Sequence, residues 1–206
     1  GWPERDIVHE FVKYSYHVSK HLGDRVKNWI THNEPWCVSY LGYIEGRKPP
    51  GLINKWPKSL ATAHHLLLSH GMAIPEIRNN SKQSEVGITL NLNTAIPASG
   101  STYDEDACRF YDGQFNRLYL NPLYKNEYPD DVFQYLKTKS LISESDLNFI
   151  KQGDLNIIST KTDFLGVNYY SRAVIRNEEI DEKKNLPRTV DMGPKTDFGW
   201  EIYPPG

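Results

Sequence analysis

Three short runs of β-prone residues lie far apart in this chain, and each gap is long enough to hold helices. They are residues 26–31 (Val-Lys-Asn-Trp-Ile-Thr), 86–90 (Val-Gly-Ile-Thr-Leu) and 163–169, apolar through Phe164, Leu165 and Val167. Antiparallel neighbours can be joined by a two-residue turn, whereas parallel ones need a crossover of about a dozen residues or more. The spacing therefore predicts a parallel sheet covered by helices.

The intervening segments fit that plan. Ile7, Phe11, Tyr14, Val18 and Leu22 recur at spacings of four and three, predicting a helix over 5–22 that Gly23 ends. Pro35 stops the first strand. Residues 41–57 hold three glycines and three prolines and read as a long loop. A second helix runs from about Ser59 toward Arg78, with Leu60, Ala63, His64, Leu67 and Leu68 buried, and Pro75 predicts a kink or an early end. A third covers 104–120, with Ala107, Tyr111, Phe115 and Leu118 inward and Asn121-Pro122 closing it. Shorter helices are expected over 131–136 and 145–151, the latter with a capping box from Ser143 and Asp146 and with Gly153 as its stop. Residues 172–176 read as a short extended piece and the charged run 178–184 as a solvated loop.

Two parallel architectures compete, an open doubly wound sheet and a closed (β/α)8 barrel. The nucleotide-binding form of the open sheet carries a glycine-rich turn after a strand, and none follows these three. Each strand instead ends in polar groups: Asn33-Glu34, then Asn91 and Asn93, then Asn168-Tyr169-Tyr170. Functional side chains at the C-terminal ends of parallel strands are the habit of the barrel. A barrel needs about eight strands, so residues 1–206 are read as a single, partial (β/α)8 domain.

Composition narrows the function. A net charge of −2 gives no electrostatic case for nucleic acid or an acidic membrane surface. No apolar run approaches the roughly 20 residues of a membrane span. The first residues show neither the basic flank nor the apolar stretch of a signal peptide, and Cys37 and Cys108 read as reduced, buried thiols, so a cytoplasmic protein is expected. Thirteen Tyr and five Trp can fill a core, and they can also offer flat faces with polar tips to a sugar ring.

Glu34 is the sharpest candidate for chemistry. It ends an apolar strand, beside Asn33 and directly before Pro35 and Trp36. Apolar and aromatic neighbours disfavour a charged carboxyl, a property that a general acid needs. Most strand-end glutamates are ordinary loop carboxylates, so the position alone is a weak signal.

Thr31-His32-Asn33-Glu34-Pro35-Trp36 resembles the Thr-x-Asn-Glu-Pro signature of glycoside hydrolase family 1. In the same order, Gly1-Trp2 resembles the end of its Gly-Gly-Trp motif, and Gly42-Tyr43 with Pro50-Gly51 the loop after the acid/base. Residues 163–170 are similar to its sixth barrel strand, and Gly199-Trp200-Glu201-Ile202-Tyr203-Pro204 to the loop that follows. The resemblance implies the fourth to sixth β/α units of the barrel. It implies a retaining β-glycosidase, β-glucosidase-like, cleaving terminal non-reducing β-D-glycosyl residues by double displacement. Glu34 would be the acid/base, Asn33 would bind the sugar's 2-hydroxyl, and Tyr170 would orient the nucleophilic carboxylate. Asn168 and Asn91 would line the same pocket, although buried amides that satisfy loop backbone are an equal reading. No metal or organic cofactor is implied. The partners implied are a small β-glycoside or oligosaccharide and the rest of the barrel, with neither nucleic acid nor membrane.

Nothing here matches the family's Thr-Glu-Asn-Gly nucleophile segment, so the segment alone is expected to be inactive. A non-catalytic sugar-binding fragment or pseudoenzyme, and a 6-phospho-β-glycosidase, remain alternatives. A thioglucosidase is disfavoured, since those replace the acid/base by Gln. The remaining motifs are weaker. Asp197-Phe198-Gly199 lacks the other kinase segments. His17 and His21 have the spacing of zinc ligands but no third partner, and read as surface residues. His64, His65 and His70 read as helix residues, and Asn79-Asn80-Ser81 is a bare sequon.

Overall fold

The chain alternates helix and strand through three units before adding a small second sheet, as a computed structural model describing residues 1–181 and 186–205 records. The elements are α1 (Asp6–Leu22), β1 (Asn28–Asn33), α2 (Pro35–Tyr43), α3 (Trp56–Asn80), β2 (Glu85–Asn91) and β3 (Ala95–Pro97). Next come α4 (Thr102–Asp112), a π-helical turn (Gly113–Arg117), α5 (Leu118–Tyr124), α6 (Asp130–Thr138), a 3-10 turn (Glu144–Leu147) and α7 (Asp154–Ile158). Strands β4 (Phe164–Asn168), β5 (Ala173–Asp181) and β6 (Leu186–Val190) complete the order.

The three expected strands form one sheet, β1-β2-β4, and both pairings are parallel. Asn33 pairs with Thr89 and Asn91 with Asn168, so all three strands end at one level. Helices cover the sheet with an apolar core built on Leu67, Leu68, Ile88 and Leu90, each at most 2% exposed. Apart from it, Ala73, Ile74, Ile77 and Val86 cluster where the end of α3 meets β2. Both outer strands of the sheet present exposed apolar side chains. Ile30 on β1 and Val167 on β4 are each 55% exposed.

Several helix bounds correct the sequence reading. Pro35 stops β1, but it also opens α2 at its first turn, where a proline's fixed φ is suited and its missing N–H is not needed. The long loop therefore shrinks to residues 44–55. Pro75 does not end α3, which runs five residues further. A helical proline clashes with the carbonyl four residues back, here that of Gly71, and the buried Ala73, Ile74 and Ile77 hold the turns around it in place. Likewise Asn121-Pro122 lies inside α5 and does not close it, because Leu118, Tyr119 and Leu123 are buried on that turn. The predicted helix over 145–151 is only the 3-10 turn, although its Ser143–Asp146 capping box is present. Gly153, at φ 89°, starts α7 where a helix stop was expected.

The extended piece at 172–176 belongs to β5, which pairs in parallel with β3 and antiparallel with β6. Buried Ala173, Val174 and Ile175 anchor it. Of the charged run read as a loop, residues 178–181 continue this strand, and 182–184 lie outside the described residues.

A polar clasp centred on buried Asp154 joins α3, α7 and the start of α1. Asp154 opens α7 and accepts from Arg5 at 2.8 and 2.5 Å, while the ring of His64 on α3 bonds its Oδ2 at 2.9 Å. The other nitrogen of His64 meets the Tyr128 hydroxyl at 2.8 Å. Burial works against the Asp154 charge, yet Arg5, the Lys151 amide and His64 hold its carboxyl down at about 2. Among the described residues, no helix is long and apolar enough to cross a membrane.

Candidate active site

β1 ends in a corner. Glu34 takes left-handed backbone angles (φ 51°, ψ 64°), a region that a non-glycine residue seldom visits without a reason. The corner is held on both sides: the Glu34 amide donates to Thr89 O on β2 at 2.9 Å, and Cys37 N donates to Glu34 O at 2.9 Å. The bend directs the chain from strand to α2 and leaves the Glu34 carboxyl at the level where the strands end.

That carboxyl is gripped at both oxygens. Oε1 accepts from Asn168 Nδ2 at 2.8 Å and from the Tyr170 hydroxyl at 3.2 Å, both beyond or at the end of β4. Oε2 accepts from the Cys37 thiol at 3.1 Å. Asn168 Nδ2 has a second hydrogen, and it serves Asn33 Oδ1 at 3.0 Å. Hence four of the five residues singled out from sequence share one hydrogen-bonded corner. The fifth, Asn91, is 7% exposed, sits opposite Asn168 in the β2–β4 register, and lines the same cavity as Glu34 and Tyr170.

The Tyr170 hydroxyl meets the Glu34 carboxyl. The resemblance implies a second carboxylate as its partner. The negative charge of Glu34 pushes the phenol's pKa up, with burial and the hydrogen bond acting the same way. Cys37 departs from its reading as a buried thiol. It is half-buried and points at Glu34, and burial together with that carboxylate pushes its pKa up to about 12. Cys108 is buried, as expected.

The cavity beside Glu34 measures about 340 Å³. Its walls include Trp36, Phe115 and Trp200, aromatic faces of the kind a sugar ring stacks on. Trp36 stacks on Tyr40 at 4.7 Å and donates its indole N–H to Gln114 on the π-helical turn at 3.2 Å. The same turn supplies Phe115 and Asn116, and Asn116 Oδ1 accepts from the Asn93 amide at 3.2 Å. Trp200 lies 4.8 Å from Tyr170, on a segment tied down by the Arg172–Glu201 pair and by a bond from Tyr169 Oη to Tyr203 O. Sequence reasoning missed Cys37 and Phe115. Cys37 stands three residues after Glu34, one helical turn away, and that signal was hidden while α2 was unread.

His17 and His21 are exposed, and His21 bonds the His17 carbonyl at 2.7 Å. His64, His65 and His70 are buried on α3. Among the described residues, no group of three or more His, Cys, Asp or Glu could hold a metal ion.

Parallel strands whose C-terminal ends converge on one carboxyl in an aromatic-walled cavity define the (β/α)8-barrel class with its site at the strand ends. Comparison with known proteins gives the family. The sequence model of Glycosyl hydrolase family 1 matches residues 1–206, and the chain belongs to that family. It is 38% identical to Beta-glucosidase A of Acetivibrio thermocellus, with all of this chain matched to 45% of that protein. A β-glucosidase crystal structure from Exiguobacterium antarcticum B7 superposes with a TM-score of 0.89 at 35% identity, over 100% of this chain and 45% of that one. A Thermotoga maritima β-glucosidase in complex with glucoimidazole superposes with a TM-score of 0.83 at 35% identity, over 99% of this chain and 44% of that one. The chain thus spans about half the length of the relatives it matches, and it folds as part of their barrel.

Proposed function

We propose that this chain supplies the acid/base half of a retaining β-glycosidase that removes terminal non-reducing β-D-glucosyl residues. Glu34 protonates the leaving-group oxygen in the first step and takes a proton from water in the second. Asn33 binds the 2-hydroxyl, and Asn168 and Tyr170 hold the Glu34 carboxyl toward the cavity that Asn91 also lines. The observation that carries this reading is the grip on Glu34: three side-chain donors fix both carboxyl oxygens at the mouth of a cavity walled by aromatic rings. The glucoimidazole bound by the Thermotoga maritima relative supports a sugar-shaped ligand.

Retention requires a second carboxyl roughly 5–5.5 Å from the first. Among the described residues lining the cavity, Glu34 is the one carboxyl. The nucleophile therefore comes from the rest of the barrel, and the 206-residue chain alone does not turn over substrate. Free Cys37 and Cys108 support a reducing, cytoplasmic setting.

The test uses a polypeptide carrying the whole barrel. Proton NMR of an aryl β-glucoside digest should show the β-anomer of glucose as the first product. First release of the α-anomer would contradict double displacement. Cleavage of the 6-phosphorylated substrate alone would move the chain to the phosphoglycoside branch, and binding without cleavage would make it a sugar-binding module.

A further inference from the structure

We propose that Cys37 is a positioning residue for Glu34, its thiol marking Oε2 as the oxygen that carries the transferable proton through a bond weak enough to be given up. The proposal rests on Glu34 being the acid/base. The two carboxyl oxygens are held unequally. Oε1 accepts an amide N–H at 2.8 Å and a phenol O–H at 3.2 Å, while Oε2 accepts the Cys37 S–H at 3.1 Å. An oxygen that already accepts two good donors has no room for a proton of its own, so the proton belongs on Oε2. A thiol is a weak donor, and it rotates away at little cost once Oε2 carries hydrogen. An O–H or N–H in its place would bind the carboxylate more firmly and resist protonation.

The protons and electron pairs balance as follows. In the first step the proton passes from Oε2 to the leaving-group oxygen, the bond from C1 breaks with its pair on that oxygen, and the barrel's second carboxylate bonds to C1. In the second, water bonds to C1, the carboxylate leaves with its pair, and a water proton goes to Oε2. Cys37 acts only through its bond to Oε2 of Glu34, exchanges no proton or electron pair itself, and stays uncharged throughout. Burial and the Glu34 carboxylate both hold its thiol protonated, against the cations Arg47 and Lys48 of the following loop. Tyr170 is the other titratable group against Glu34, and its phenol is held protonated in turn. The thiol and the backbone amide of Cys37 both return to Glu34, so the first turn of α2 acts as a bracket on the strained corner.

Two measurements test this. The first is iodoacetamide alkylation at pH 8, read peptide by peptide so that Cys37 and Cys108 are separate. Glu34→Gln removes the neighbouring charge and should speed Cys37 alkylation about tenfold, the equivalent of one pKa unit, with Cys108 unchanged. The second is the pH profile of kcat/KM for the enzyme carrying the whole barrel. A donor to a carboxylate favours its charged form, so its removal raises the acid's pKa. Cys37→Ala should therefore move the alkaline limb up by about half a pH unit, and Cys37→Ser should bring it back down to the wild-type position or below it. A crippled Glu34→Gln enzyme together with an unmoved Cys37→Ala limb would sink the Cys37 proposal alone. Hydrolysis indifferent to Glu34→Gln would sink the acid/base reading, and the role of Cys37 with it. Equal Cys37 alkylation with and without the Glu34 charge would show that the thiol does not engage the carboxylate.

Discussion

At the scale of single residues, the buried histidines of α3 set how the fold responds to acid. His64 and His70 are each at most 1% exposed, and burial depresses them to about 4 and about 3, from 6.5. Below pH 6.5 the unfolded chain takes up protons that the folded chain refuses. The stability these groups contribute is therefore complete above 6.5 and is lost as pH falls toward 4. Asp154 lies outside that window, since its carboxyl keeps its charge down to about 2. Urea unfolding should register a loss of about 3 kcal/mol or more between pH 7 and pH 4.5. A flat profile would contradict the burial of neutral imidazoles. Sequence placed His64 in the buried stripe of α3 but marked His70 only as a helix residue. Their burial follows from helices on both flanks of α3, which a local pattern does not encode. The corner around Glu34 was more legible, because Asn33, Glu34, Asn91, Asn168 and Tyr170 lie at or just past strand ends, and parallel pairing aligns strand ends by construction.

At the scale of elements, α3 and α7 approach each other closely at Gly71. A Cβ added to Gly71 would lie 2.0 Å from Ile157 O, so the two backbones touch where no side chain fits. Gly71→Ala should destabilise the protein by about 1–3 kcal/mol, as overpacking does, although alanine is the better helix former. Denaturant unfolding that showed unchanged or raised stability would mean the helices lie further apart. α1 and α3 were legible by their periodicity, and the three sheet strands as short β-prone runs. Elements that tertiary contacts stabilise were legible in part or not at all. α2 opens on a proline, α7 has five residues, and β5 begins with three buried residues and runs on into charge. A capping box told correctly where the 3-10 turn starts, but not that only one turn follows.

At the scale of the molecule, the fold is an arc. Exposed Ile30 and Val167 mark the outer strands of the parallel sheet, where a closed barrel continues with further strands. Among the described residues lining the cavity Glu34 is the one carboxyl, so the proposed two-carboxyl reaction has to be tested on the whole barrel. The central claim is then directly measurable. In the enzyme carrying the whole barrel, Glu34→Gln removes the proton donor, and a leaving group that needs no proton should not notice its loss in the first step. The decisive measurement is the rate of the first step for that variant on two substrates, an alkyl β-glucoside and a dinitrophenyl β-glucoside. A loss of about a hundredfold or more on the alkyl substrate, with little change on the aryl one, is the predicted result. Equal and negligible losses on both would remove Glu34 from the reaction.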